Sequence, residues 1–324
     1  MKSFLRNNRG IALILTILII SLIVALTLQF NTFMRSDLHA AANLRDGIRL
    51  GYVAKSGFNY ALAVLLEDAS EGSIDSLRET WADSEALSEN STALFDEGLF
   101  RVKVSDYSGR IQINQLIDQS GKYDAFQKDC LRLFLNSPEF GLDPEEADNI
   151  IDAVKDWIDA DNEATRFGAE DAYYQALGKP YSCKNAPVEF LEELLLVRGI
   201  TKDLFYGAGG KPGISNYLST HGDGKININT ADPLVLMALS DEMSDEMVEN
   251  MIAYREDEEK DLSIVNWDER IGMGGVAMPS VLTTSSTYFE ITSTGFKEAM
   301  AKRVTGMVKR NMGEPIQILS WKIE

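Results

Sequence analysis

The chain has 324 residues and a formal net charge of −19, from 50 acidic and 31 basic side chains. That balance argues against nucleic-acid binding, which relies on Lys and Arg neutralising phosphates, and suits a domain that does not adhere to anionic lipid. Two cysteines are too few for a disulfide-dense scaffold, and two histidines leave little for Ser–His or Cys–His catalysis.

The first segment sets the frame. Lys2, Arg6 and Arg9 precede an uncharged run from Gly10 to Met34. As a helix, about 24 such residues extend about 36 Å, enough to cross a hydrocarbon core of about 30 Å. The basic flank in front predicts a cytoplasmic N-terminus and an exported remainder. The run is too long for the apolar region of a cleaved secretory signal. A plain membrane anchor is one reading. The other rests on the junction: a short basic leader, then Gly10, then an apolar helix from Ile11. This resembles a type IV prepilin or pseudopilin, which implies cleavage after Gly10 by prepilin peptidase and methylation of Ile11. The fifth residue after that cut is Leu15, where most pilins carry a Glu that pairs with a neighbour's terminal amine.

Apolar positions continue through Leu38, Ala41, Ile48, Tyr52, Phe58, Leu62 and Leu65, so one helix over 11–66 is expected, weakened by Gly47, Gly51 and Gly57. An acidic loop with a short helix follows up to Glu97. Alternation in Leu99–Val104 and Arg110–Asn114 around Asp106-Tyr107-Ser108-Gly109 predicts a hairpin. Helices are expected over Asp124–Leu135, Pro144–Ile158, Ala169–Leu177, Pro187–Val197, Pro233–Leu239 and Ser244–Glu256. Strands return at Thr287–Ser293, Lys302–Val308 and Ile316–Ile323. The fold class is therefore α+β. A pilin-like helix packs on an antiparallel sheet formed by 67–114 and 285–324, and a helical domain at 115–284 interrupts that sheet. Two consecutive domains with separate sheets are the alternative.

Two internal motifs sharpen the picture: Asp156-Trp157-Ile158-Asp159-Ala160-Asp161 followed by Gly168-Ala169-Glu170-Asp171-Ala172-Tyr173-Tyr174, and Lys225-Ile226-Asn227-Ile228-Asn229-Thr230-Ala231. Together with the start, the missing carboxylate at Leu15 and the helical insertion, the chain resembles the minor pseudopilin K family of type II secretion over essentially its whole length. The resemblance implies a non-enzymatic subunit of the bacterial inner membrane, with a periplasmic head. It would cap and help initiate a pseudopilus, with minor pseudopilins I and J and the inner-membrane secretion machinery as partners. A minor pilin of a type IV pilus, or a calcium-dependent exported protein on a plain anchor, are the alternatives.

Asp159, Asp161 and Glu163 alternate, and Glu170 follows Asp159 at the first-to-last spacing of an EF-hand loop. Ala164 stands where that loop needs its glycine, which argues against an EF-hand. Clustered carboxylates repel one another unless a cation neutralises them, so the loop is either an irregular oxygen-ligand site or a solvated acidic surface. The family resemblance implies calcium, with Asp159, Asp161, Glu170 and Asp171 as ligands and Glu163 as a further candidate. The Asn227–Ala231 motif also resembles the start of a helix-hairpin-helix DNA module. Its downstream half, however, carries Asp241, Glu242, Asp245, Glu246 and Glu249, which leaves turns and caps before a helix as its expected role. Cys130 and Cys183 either pair, as an exported chain permits, or remain as buried free thiols.

Overall fold

The computed structural model describes residues 8–89, 91–263, 279–311 and 313–324. Lys2 and Arg6 of the expected leader lie outside them. Helix α1 spans Asn8–Glu71 without a break, longer at both ends than expected. Thr16, Ser21, Thr27 and Thr32 each return their hydroxyl to a carbonyl three or four residues back, which satisfies these four donors within the helix. This is a helix long and apolar enough to cross a membrane, and none of its apolar window is buried in the described part of the protein.

The second half of α1 is the spine of the head. Val53, Ala54, Phe58, Ala61 and Leu65 are buried against the sheet at three-to-four spacing. Gly57 lies in this contact: a Cβ there would stand 2.4 Å from Ser293 Oγ, so its role is close approach rather than bending. Helices α2 (Ser84–Glu89) and α3 (Ser91–Leu94) lead into strand β1 (Leu99–Asp106).

After β1 the chain leaves the sheet. Strand β2 (Ile111–Gln112) is followed by α4 (Ala125–Leu135), α5 (Pro144–Ile158), α6 (Asp171–Gln175) and α7 (Lys202–Tyr206). Strands β3 (Leu218–Ser219) and β4 (Ile226–Asn227), helices α8 (Pro233–Met237) and α9 (Asp245–Glu256), and strand β5 (Leu282–Thr283) complete this unit. Strands β6 (Tyr288–Lys297), β7 (Met300–Lys309) and β8 (Gln317–Ile323) rejoin the sheet. The sheet order is β1-β6-β7-β8. Strands β1 and β6 pair antiparallel from Leu99 opposite Phe296 to Asp106 opposite Phe289.

The chain thus folds as α+β, with a largely helical body between two adjacent strands of one antiparallel sheet. Two buried clusters mark the two bodies. One unites α1, Trp81, Leu87 and the sheet; the other runs from Ile111 to Leu282. The expected start at 115 is therefore late, because Ile111 and Ile113 already belong to the inserted core.

Three local expectations are corrected. The hairpin does not form: β2 pairs in parallel with β3, and the partner of β1 is β6. At the turn Gly109 packs against the asparagine motif, its Cβ position 2.6 Å from Thr230 Oγ1 and 3.0 Å from Ala231 N, and the chain passes into the inserted body. Residues 191–196 form a 3-10 helix where an α-helix over Pro187–Val197 was expected. The two short strand pairs β2–β3 and β4–β5 also mean that the insertion is not purely helical.

Candidate metal centre

Helix α5 positions the acidic loop. Asp143 accepts the Glu146 N–H and Glu146 accepts the Asp143 N–H, a capping box with Pro144 in the first turn. The helix buries Ile150, Ile151, Val154, Trp157 and Ile158, together with Asp152 and Asp156. These two acids hold the loop backbone. Asp156 accepts the Thr165 N–H on both oxygens, at 3.0 and 3.1 Å, and Asp152 accepts the Phe167 N–H at 3.1 Å and the Tyr123 hydroxyl at 2.5 Å. Gly168 fits beneath them, since a Cβ there would lie 1.9 Å from Asp156 Oδ2. Asp152 and Asp156 escaped assignment from sequence. Their signal is a pair of acids at i and i+4 on an otherwise apolar helix face.

Asp159 ends α5, and one ligand atom each of Asp159, Asp161 and Glu170 lies within 4.8 Å of the others. Glu170 is 5% exposed, and among the described residues neither of its carboxylate oxygens has a partner of hydrogen-bond geometry, although the Cys183 thiol lies beside it; Asp159 Oδ1 is also buried and without one. Burial pushes the Glu170 carboxyl up to about 7, and Asp156 and Asp159 add to the rise. Buried polar groups left unpaired cost free energy, and a hard divalent cation is the group that would satisfy these oxygens together. The residues present therefore fit calcium. Asp161 also accepts the Glu163 N–H at 2.8 Å, so Glu163 contributes its backbone to the turn while its side chain is exposed.

Asp171 stands apart from this triad. Its Oδ1 accepts the Cys183 N–H at 3.1 Å, which ties α6 to the segment beyond it. Cys183 and Cys130 are free thiols, so the paired reading is corrected. Cys130 is buried on the apolar side of α4, and the Cys183 thiol donates to the Asp156 carbonyl at 3.4 Å beside Glu170.

A second acidic group, Asp68, Asp75 and Glu79, has a different character. The buried Arg310 guanidinium binds Asp68 Oδ2 at 2.6 Å and pairs directly with Asp75. One buried guanidinium bonds two of its three carboxylates, so this is an ion network. It continues through Ser286, whose N–H donates to Asp75 Oδ2 at 2.6 Å and whose hydroxyl donates to Asp106 Oδ2 at 2.6 Å. Asn227 is fully buried and donates to the Asp75 carbonyl at 3.0 Å and to Ser286 Oγ at 2.7 Å, and Thr230 Oγ1 donates to Asp106 at 2.5 Å. The asparagine motif therefore braces the inserted body to the sheet, and the cap before α8 comes from Asp232.

A family model described as type II secretion system protein K matches residues 109–207, and a second protein K model matches residues 226–284. The chain belongs to the protein K family of type II secretion. Both family matches fall on the inserted body, the first across the carboxylate loop and the second from the asparagine motif onward. The type II secretion system protein K of Aeromonas hydrophila is 27% identical over 62% of this chain and 61% of its own length. That of Pseudomonas aeruginosa is 27% identical over 77% of this chain and 73% of its own. The chain thus spans about three fifths of the length of the Aeromonas protein. A chain from the crystal structure of the GspK–GspI–GspJ complex of enterotoxigenic Escherichia coli superposes with a TM-score of 0.63 at 18% identity. The superposition covers 88% of this chain and 99% of that one, which places the protein K fold on nearly all of it.

Proposed function

We propose that this chain is a minor pseudopilin that sits at the tip of a type II secretion pseudopilus, assembled with minor pseudopilins I and J. The observation that carries the reading is the helical body between β1 and β6 on a pilin-like helix and sheet. A body of that size on the head would obstruct a subunit stacking above it. Leu15 points the same way: it offers no carboxylate to a neighbour's terminal amine, and a charged amine left unpaired among apolar helices is costly. The family membership and the fold likeness to a chain solved with GspI and GspJ support the partner assignment.

In this reading prepilin peptidase cuts between Gly10 and Ile11, Ile11 is methylated, and α1 holds the protein in the inner membrane with its head in the periplasm. Its work is assembly rather than catalysis. Calcium held by Asp159, Asp161 and Glu170 would supply positive charge to a buried oxygen cluster and so fix the loop between α5 and α6. The test is reconstitution of the full chain with full-length I and J in detergent, followed by light scattering in calcium and in chelator. A one-to-one-to-one complex is expected in calcium. A folded chain that binds neither partner would sink the tip assignment.

A further inference from the structure

The carboxylate pocket contains a built-in cation. Lys155 Nζ lies 2.5 Å from Asp159 Oδ2 and 3.9 Å from Asp156 Oδ1, with its side chain 13% exposed. It sits four residues before Asp159 on the last turn of α5, where side chains at that spacing meet. Arg198 is nearby but donates Nη1 to the Gly168 carbonyl. Among the described residues, Lys155 is the only basic side chain ion-paired to any of Asp159, Asp161 and Glu170.

The ammonium cannot satisfy the whole cluster. It reaches Asp159, while among the described residues both oxygens of Glu170 and Asp159 Oδ1 remain without hydrogen-bond partners. A single point charge with three short donors bonds one edge of a triad whose ligand atoms fall within 4.8 Å. A divalent cation could contact all three residues at once. It could not do so with an ammonium still on Asp159, because two cations a few ångströms apart in a poorly solvated pocket repel strongly. Lysine has a long flexible stem, and the Tyr123 ring, 5.9 Å from Nζ, lies beside its present position.

We propose that Lys155 is the resident counter-ion of this pocket and that a divalent metal binds by exchange, displacing the Lys155 ammonium from Asp159. The proposal rests on the reading that the pocket takes calcium. The lysine keeps its proton and moves away, and the metal takes the released carboxylate. Lys155 thereby stabilises the metal-free protein and weakens metal binding, so it sets how much calcium the loop needs.

The experiment is calorimetric titration of the full chain in detergent with calcium, comparing wild type with Lys155→Met, Lys155→Gln and Lys155→Arg, together with thermal melts in chelator. Lys155→Met removes the charge and keeps the stem; Lys155→Gln keeps a neutral donor should the methionine variant fail to fold. Both are expected to bind calcium about tenfold more tightly while melting lower in chelator, and Lys155→Arg is expected to restore the wild-type affinity. A loss of packing alone would lower the melting point without tightening calcium. If the wild type binds calcium and the neutral variants bind it no more tightly, Lys155 is a supporting group and the exchange is wrong, while the calcium reading stands. If none of the four binds calcium, both fall.

Discussion

If the carboxylate pocket takes calcium as proposed, its acids make opposite demands with and without the metal, and Glu170 shows this most clearly. Among the described residues both its oxygens are buried without hydrogen-bond partners, so Glu170→Gln is expected to raise the melting point in chelator, by about 1 kcal/mol of stability. The same change should abolish most of the gain that calcium gives the wild type. Melts of both proteins in both conditions check this crossing of signs; a variant that gains as much from calcium as the wild type would remove Glu170 from the site. Gly168→Ala places a methyl 1.9 Å from Asp156 Oδ2, and the loop must move off the acids that hold it. A loss of about 2–3 kcal/mol is expected, measured by denaturant unfolding. Glu79 gives the protein a pH dependence. Burial pushes its carboxyl from 4.5 up to about 7, against the opposing hydrogen bond from Trp81 Nε1. A carboxyl with a raised folded-state pKa favours the fold when protonated. Its contribution is full below about 4.5 and is lost as pH rises through about 7. The melting point in chelator should therefore fall between pH 5.5 and pH 8, and Glu79→Gln should flatten that fall.

At the scale of elements, α1 has two environments on one continuous rod. Its first half exposes apolar side chains on every side, and its second half buries one stripe in the head. Phe58 is the centre of that stripe, packed edge-on to Trp321 with ring centroids 4.6 Å apart and buried completely. Phe58→Ala is expected to cost about 3–4 kcal/mol and to loosen β8, the edge strand, first. Hydrogen exchange of the Gln317–Ile323 amides would report it. The existence of the long helices was legible because periodicity and caps are local: Pro144–Ile158 follows from Asp143, Pro144 and the apolar spacing. The partner of β1 was not legible. Alternation marks a strand but is silent on what it pairs with, and a nearby alternating segment made a hairpin the simplest local choice. Instead Gly109 packs on Thr230 and Ala231, and the chain passes into the inserted body.

The whole molecule depends on a polar junction between its two bodies. Asp75, Asp106, Asn227, Ser286 and Arg310 join the end of α1, the sheet and the inserted body in one buried network. Arg310→Met leaves Asp68 and Asp75 without their cation and is expected to cost about 3–5 kcal/mol. Asn227→Leu removes the donors to Asp75 and Ser286 and should separate the unfolding of the two bodies. Scanning calorimetry would then show two transitions in the variant; a single unshifted transition would mean that the apolar contacts alone couple them. Of these residues only Asn227 drew attention in the sequence, as part of its motif; Asp75, Asp106, Ser286 and Arg310 are ordinary surface residue types until the fold gathers them.

Local sequence was enough to place the long helices and the strands of the main sheet. A long uncharged run can only be a helix in an apolar setting, periodic apolar residues must bury one face, and carboxylates clustered within a short loop call for positive charge wherever they lie. Tertiary structure alone decided which strand closes the sheet, that Asp159, Asp161 and Glu170 form the close oxygen triad while Asp171 accepts the Cys183 N–H, that the thiols are free, and that Lys155 and Arg310 answer two acidic groups in different ways. The physical reason is range: backbone propensity and amphipathic spacing act within a few residues, whereas desolvation, close packing and charge pairing depend on neighbours that are distant in the chain.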